Sequence, residues 1–180
     1  SKTAARQVTS HQFDLLSEDG LLEIVGTLDP FPDLVIYTAG LMSDEHSAAS
    51  AHQMMHINAL VPTRAFMFIA DQFVNREIRG VLVGVSSIAG VRGRQSNFRY
   101  GASKAAFNAS LSGLRSKFCR HGIHVMTVLP GFMKTKMIAN TVTPALLTSS
   151  PNQMAKTIRQ AVAARKDIVY PNILWRLIAW

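Results

Sequence analysis

Tyr100 and Lys104 stand four residues apart in the segment Tyr100-Gly101-Ala102-Ser103-Lys104. On a helix that spacing puts a phenol and an amine on one face. A free tyrosine titrates near about 10 and is a poor acid–base group at neutral pH. An ammonium about 4 Å away would favour the phenolate by about 4 kcal/mol at an effective dielectric near 20. Such a shift makes the phenol a usable proton donor and acceptor. Alone, the spacing is a weak signal, since a packed tyrosine beside a surface lysine shares it. Ser87, 13 residues before Tyr100, strengthens it. It closes the apolar run Val81–Val85, and sites in α/β proteins form at the C-terminal edge of a parallel sheet. A hydroxyl there could hold a carbonyl oxygen or alkoxide beside the phenol. The alternative is a turn-forming serine pair ahead of Gly90.

The hydrophobic pattern supplies the elements that must carry these groups. Leu34–Tyr37, Gly80–Ser86 and His124–Leu129 are short apolar runs, predicted as strands buried on both faces. Gln7–Phe13 is a weaker strand candidate, and Ile168–Tyr170 a last short one. Glu18–Leu28, Ala51–Arg76 and Tyr100–Cys119 show helical spacing, and Pro62 predicts an irregularity in the second of them. Ser150-Pro151-Asn152-Gln153 looks like a capping box opening a helix to Arg165. Gly90–Arg99 reads as a loop, and residues 132–149 as a loop or lid. Strands alternating with helices imply parallel pairing through right-handed crossovers. The expected fold is α/β, a doubly wound parallel sheet in three layers, as a single domain over residues 1–180.

Composition narrows the class. The chain has 180 residues, 48% hydrophobic and 17% charged, with no fixed repeat. That excludes disordered, collagen-like and coiled-coil chains. The single cysteine, Cys119, excludes a disulfide scaffold and fits a reducing compartment, so a cytoplasmic location is expected. No apolar run approaches the ~20 residues of a membrane span. The net charge of +8 admits anionic partners. Nucleic acid is disfavoured, because no basic block carries interleaved aromatics. His46, His52 and His56 lie close together without a third ligand or the glutamate of a metalloprotease pattern, so no metal site is expected.

Ser87, Tyr100 and Lys104 at these spacings resemble the short-chain dehydrogenases/reductases. Other segments agree in order. Tyr37-Thr38-Ala39-Gly40 is similar to the family's Asn-Asn-Ala-Gly element, keeping Ala-Gly and replacing both Asn. Asn58, with Pro62 four residues on, matches the Asn of the following helix. Pro130-Gly131-Phe132-Met133-Lys134-Thr135 matches the Pro-Gly-x-x-x-Thr element, and Asp14-Leu15 the acidic position after the third strand. The resemblance runs from about Arg6 to Tyr170.

The resemblance implies a Rossmann-like fold and hydride transfer between NAD or NADP and a ketone or secondary alcohol. Tyr100 would be the general acid/base. Lys104 would lower its pKa and bind the nicotinamide ribose, Ser87 would polarise the carbonyl, and Asn58 would hold a relay water. The alternative for Asn58 is an amide capping backbone where Pro62 disturbs the helix. Asp14 and Leu15 would meet adenine, Ala39 and Gly40 the adenosine half, and Pro130, Gly131 and Thr135 the nicotinamide. Gln95, Asn97, Phe132 and Met133 would contact substrate, with Met137 and Ile138 in the lid. A homo-dimer or homo-tetramer is implied as well.

One departure stands out. The family's Gly-rich phosphate loop is absent, which implies that the first two strands are missing and that this is an incomplete stretch of a longer protein. The stretch from Gly40 to Asn58 is also a few residues short for the family. The residue that selects NADP over NAD follows the second strand, outside this chain. The apolar tail 171–180, with Trp175 and Trp180, would cover the pocket, pack at a subunit contact or sit at a membrane interface. With Pro130-Gly131-Phe132 it resembles a subgroup near the reductase that makes decaprenylphosphoryl arabinose from its 2-keto precursor, implying a lipid-linked sugar substrate at a membrane surface. A non-catalytic binding module is the rival from another class.

Overall fold

The computed structural model describes residues 8–17, 20–43, 47–135 and 143–178. The apolar runs become β1 (Leu34–Tyr37), β2 (Val81–Val85), β3 (His124–Val128) and, after two short strands in the lid, β6 (Ile168–Val169). All four pair in parallel in the order β1-β2-β3-β6. Tyr37 lies opposite Gly84, and Val85 opposite Val128. Side chains alternate across the pleat. Leu82 and Val125 pack under Phe66, Ile69, Phe107 and Leu111, from α3 (Val61–Asn75) and α4 (Phe98–Phe118). Val83, Val85, Met126 and Val128 pack under Ile158 and Ala161, from α5 (Pro151–Ala163). The result is the expected three-layer α/β/α arrangement with a parallel sheet.

Three expectations change in detail. β1 is a strand but not a doubly buried one: Leu34 and Ile36 are each 42% exposed. They share the register face of Val81 and Val83, which α5 covers over β2, β3 and β6 but not over β1. Residues 8–13 form no strand; no strand among the described residues pairs with them, and an isolated strand leaves its backbone polar groups unmatched. Residue 7 lies outside the described residues. The helix expected from Glu18 is shorter, α1 (Gly20–Gly26), and Glu18 itself is not described.

The long helix expected over 51–76 carries the irregularity that Pro62 predicts. α2 (Ala48–Met55) passes into a π-helical turn, His56–Leu60, before α3 begins with Pro62 in its first turn. Proline lacks an N–H and its ring crowds the carbonyl four residues back, at Asn58. Widening the preceding turn relieves that crowding. Ser150 caps α5 as expected, its Oγ accepting from the Gln153 N–H at 3.2 Å. The lid contributes β4 (Phe132–Met133) and β5 (Thr148–Ser149), a short parallel pair. The tail forms α6 (Leu174–Ile178). Met137, Ile138, His46 and Trp180 lie outside the described residues.

Candidate active site

β2 delivers Ser86 and Ser87 to the end of the sheet. Ser87 caps the single turn Ile88–Gly90, accepting from the Ala89 N–H at 3.1 Å. The first turn of α4 lies directly on that turn because residue 101 has no side chain: a Cβ on Gly101 would come 2.8 Å from the Ala89 carbonyl oxygen. Ser86 Oγ donates to the Lys104 carbonyl at 3.2 Å and ties the second turn to the strand end. This close approach brings the Tyr100 phenol into hydrogen bonding with the Ser87 hydroxyl. Lys104 Nζ lies 5.9 Å from the centre of the Tyr100 ring. Ser87, Tyr100 and Lys104 are all buried.

Burial sets the electrostatics. Lys104 is pushed down to about 8 by loss of water around its ammonium. Tyr100 is pushed above its ordinary value by burial, while the Ser87 hydroxyl pulls the other way. The sequence leads one to expect a phenol made acidic by the lysine. In the structure desolvation of the phenolate outweighs the pull of the Ser87 hydroxyl and raises the phenol instead.

Asn58 occupies the π-helical turn and is fully buried. Its Oδ1 accepts from the Leu41 N–H at 2.8 Å, and its Nδ2 donates to the Leu41 carbonyl at 2.7 Å and to Ser103 Oγ at 3.0 Å. Ser103 Oγ donates in turn to the Tyr100 carbonyl at 2.7 Å. The amide therefore clips the chain after β1 to α4 beneath Tyr100. Tyr37 adds a second tie from β1, its OH donating to the Ile57 carbonyl at 2.9 Å. Tyr37 stands where the resembled motif has Asn. Neither Ser103 nor Tyr37 was singled out by sequence as a positioning group.

One cavity of about 580 Å³ opens over these groups. Of the residues expected there, Gly40, Ser87, Asn97, Tyr100 and Lys104 line it. So do Pro130, Gly131, Phe132, Met133 and Thr135. Asn58, Ala39 and Gln95 do not line it: Asn58 is fully buried, Ala39 packs against the core under α3 and α4, and Gln95 is exposed. Asp14 and Leu15 are not brought to the cavity. Asp14 closes a turn by accepting from the Leu16 N–H, and Leu15 lines a separate pocket of about 80 Å³ with His56 and Arg64. The strand they were expected to end is the one that does not form.

Sequence reasoning missed Thr38, Met42, Arg94, Ser96 and Met154 as wall residues. Trp175 also lines the cavity and is 3% exposed. Its Nε1–H donates to the Leu147 carbonyl at 2.8 Å, and its ring meets Phe132 edge to face at 5.2 Å. Of the three roles open to the tail, the structure puts Trp175 in the pocket wall.

The family model described as short chain dehydrogenase matches residues 2–145. An uncharacterized oxidoreductase of Mycobacterium tuberculosis is 30% identical over 142 residues, 77% of this chain and 55% of that protein. An uncharacterized oxidoreductase of Myxococcus xanthus is 30% identical over 146 residues, 77% of this chain and 57% of that protein. The chain thus spans little more than half the length of these relatives. Among solved structures, a short chain dehydrogenase from Burkholderia cenocepacia in complex with NADP superposes with a TM-score of 0.83 at 22% identity. That match covers 93% of this chain and 70% of the other, and it bears on the fold.

Proposed function

The chain belongs to the short chain dehydrogenase family, and on that premise we propose that it carries the reaction site of an NAD(P)(H)-dependent oxidoreductase acting between a ketone and a secondary alcohol. The observation behind this reading is the Tyr100 phenol hydrogen-bonded to Ser87, beside the Lys104 ammonium, on the wall of one cavity. Among the described residues no hydrogen bond or ion pair is made to Lys104 Nζ, although the residue is 3% exposed.

The residues fit the nicotinamide half of such a cofactor. A Cβ on Gly40 would come 3.2 Å from Lys104 Nζ and 3.3 Å from Asn58 Oδ1. The bare backbone there leaves a notch beside an ammonium with unfilled donors, suited to a ribose diol. Pro130, Gly131 and Thr135 offer a surface for the ring. The adenine half finds no counterpart at Asp14 and Leu15 within this cavity.

The cofactor supplies the hydride; this chain supplies position and protons. Ser87 donates to the carbonyl oxygen and holds it against the phenol. Tyr100 gives that oxygen its proton as the alcohol forms. A phenol held above its ordinary range stays protonated at neutral pH and suits the reductive direction. Both amide hydrogens of Asn58 are committed, so a relay water would meet only the remaining lone pair of Oδ1. Asn58 is accordingly a positioning residue first. The described parts of the lid, residues 132–135 and 143–149, and of the tail, 171–178, would close the substrate side.

We propose self-association as a dimer or tetramer through the two long helices, α3 and α4, as the family resemblance implies. No helix among the described residues is long and apolar enough to cross a membrane. Peripheral contact, and with it a lipid-linked substrate, would use the exposed Ile173 and Leu177, since Trp175 faces the cavity. The test of the activity is Tyr100→Phe in the encoded protein. We expect loss of carbonyl-dependent NAD(P)H oxidation by about 10²-fold or more, the scale of general acid–base catalysis, with an unchanged circular dichroism spectrum. Near-normal turnover would defeat the assignment.

A further inference from the structure

The charges on the cavity wall are of one sign. Its lining includes Arg94 and Lys104 and, among the described residues, no Asp or Glu. The two cations serve different ends of the space. Lys104 stands by the Gly40 notch, while Arg94 stands with Trp175, its guanidinium carbon 5.7 Å from the indole centre. The indole is itself fixed by its bond to Leu147 and its contact with Phe132. A guanidinium held over an aromatic face by cation–π attraction leaves its N–H groups free to donate elsewhere. Among the described residues no ion pair or side-chain hydrogen bond occupies those donors. Arg94 O accepts from the Asn97 N–H at 3.2 Å, so both residues sit on one turn. Asn97 also lines this wall, while its Oδ1 is buried behind it without a hydrogen-bond partner.

Resting on the oxidoreductase reading, we infer that the substrate is an anionic ketone or alcohol. Its carboxylate or phosphate is held by Arg94, and its apolar body lies on Trp175 and Phe132. A planar, multi-donor fork is suited to either oxyanion. In the reductive direction the carbonyl carbon takes a hydride from the reduced nicotinamide. The carbonyl oxygen takes a proton from Tyr100, leaving a secondary alcohol and the oxidised nicotinamide. The oxyanion itself is unchanged.

The experiment measures binding first, without turnover. 4-Phenylbutanoate, 3-phenylpropyl phosphate and the neutral 4-phenylbutanamide are titrated calorimetrically into the encoded protein and into Arg94→Gln and Arg94→Lys. We expect at least one of the two anions to bind tenfold or more tighter than the amide, and the stronger of the two identifies the oxyanion class. Arg94→Gln should erase the preference while leaving the affinities for the amide and for NADP unchanged. Arg94→Lys should keep part of it. Equal affinity for anions and amide, or no binding of any of the three, overturns the inference. So does a preference that survives Arg94→Gln, or a fall in NADP affinity, which would make Arg94 a cofactor contact. Turnover then separates the two claims, using 4-phenyl-2-oxobutanoate and its ethyl ester with NADPH. Arg94-dependent anion binding without reduction of either counts against the oxidoreductase reading and leaves the anion site standing. Reduction of the ester as efficiently as the acid sinks the anion site and leaves the oxidoreductase reading standing.

Discussion

Trp175 occupies the space that a side chain at residue 131 would need: a Cβ on Gly131 would overlap its indole. The tail thus packs on the backbone of the Pro130-Gly131 turn, and the fit depends on a glycine in a loop more than 40 positions away. Gly131→Ala should unseat the indole at a cost of about 1–3 kcal/mol, the usual range for overpacking. In a Trp180→Phe background Trp175 is the sole tryptophan of these 180 residues, and its emission should shift to the red. Trp175→Ala should then make Gly131→Ala nearly neutral, because the overlap is gone. An unshifted emission maximum in Gly131→Ala would contradict this packing.

Lys104 is buried as a cation and pushed down to about 8, whereas an unfolded chain holds its proton up to about 10.5. The folded pKa is the lower one, so between 8 and 10.5 the unfolded chain binds more protons and stability rises with pH. Below pH 8 the full penalty applies. It is on the order of 3 kcal/mol at about 1.4 kcal/mol per factor of ten. Lys104→Met should therefore raise stability to urea at pH 7 and flatten the rise above pH 8, while abolishing turnover. A less stable Lys104→Met protein would show that the ammonium has a partner that offsets its burial.

Asn58 holds both the N–H and the carbonyl of Leu41 and reaches Ser103. Asn58→Ala leaves those buried groups unmatched, at about 1–3 kcal/mol for each group that finds no new partner. We expect a loss of about 2–4 kcal/mol in chemical denaturation, at the upper end for single substitutions. Loss of activity with stability retained would instead assign the amide to proton relay.

His124 sits at the far end of β3, buried at 5% exposure, with Nε2 3.3 Å from Asp167 Oδ1. Burial holds its pKa down, Arg165 and Arg115 push the same way, and Asp167 opposes them. With the folded value below about 6.5, the unfolded chain binds the extra proton. Stability is then complete above about pH 6.5 and falls as pH drops through the folded value. Thermal unfolding followed from pH 7.5 to 5 should show this loss, and His124→Gln should reduce it. An identical pH profile in His124→Gln would place the acid sensitivity elsewhere.

Much of this was legible in the sequence because its signals are local. Valine-rich runs of four or five residues, helical spacing from Phe107 to Phe118 and the Ser150 cap are set by neighbours within one or two turns. They form where expected. The Tyr100, Lys104 and Ser87 grouping was also legible, since two of its members share one helix face and the third ends a strand. What the sequence left open depends on contacts between distant segments. Whether β1 is buried depends on whether a partner and a covering helix lie beside it. Whether Tyr100 is more or less acidic depends on how much water surrounds it, which no spacing encodes. That Arg94 and Trp175 meet over one cavity depends on the tail folding back across the end of the sheet. Sequence determined the elements and the chemical groups they carry; tertiary packing decided their solvent exposure and their partners, because desolvation and close contact arise only when remote parts of the chain come together.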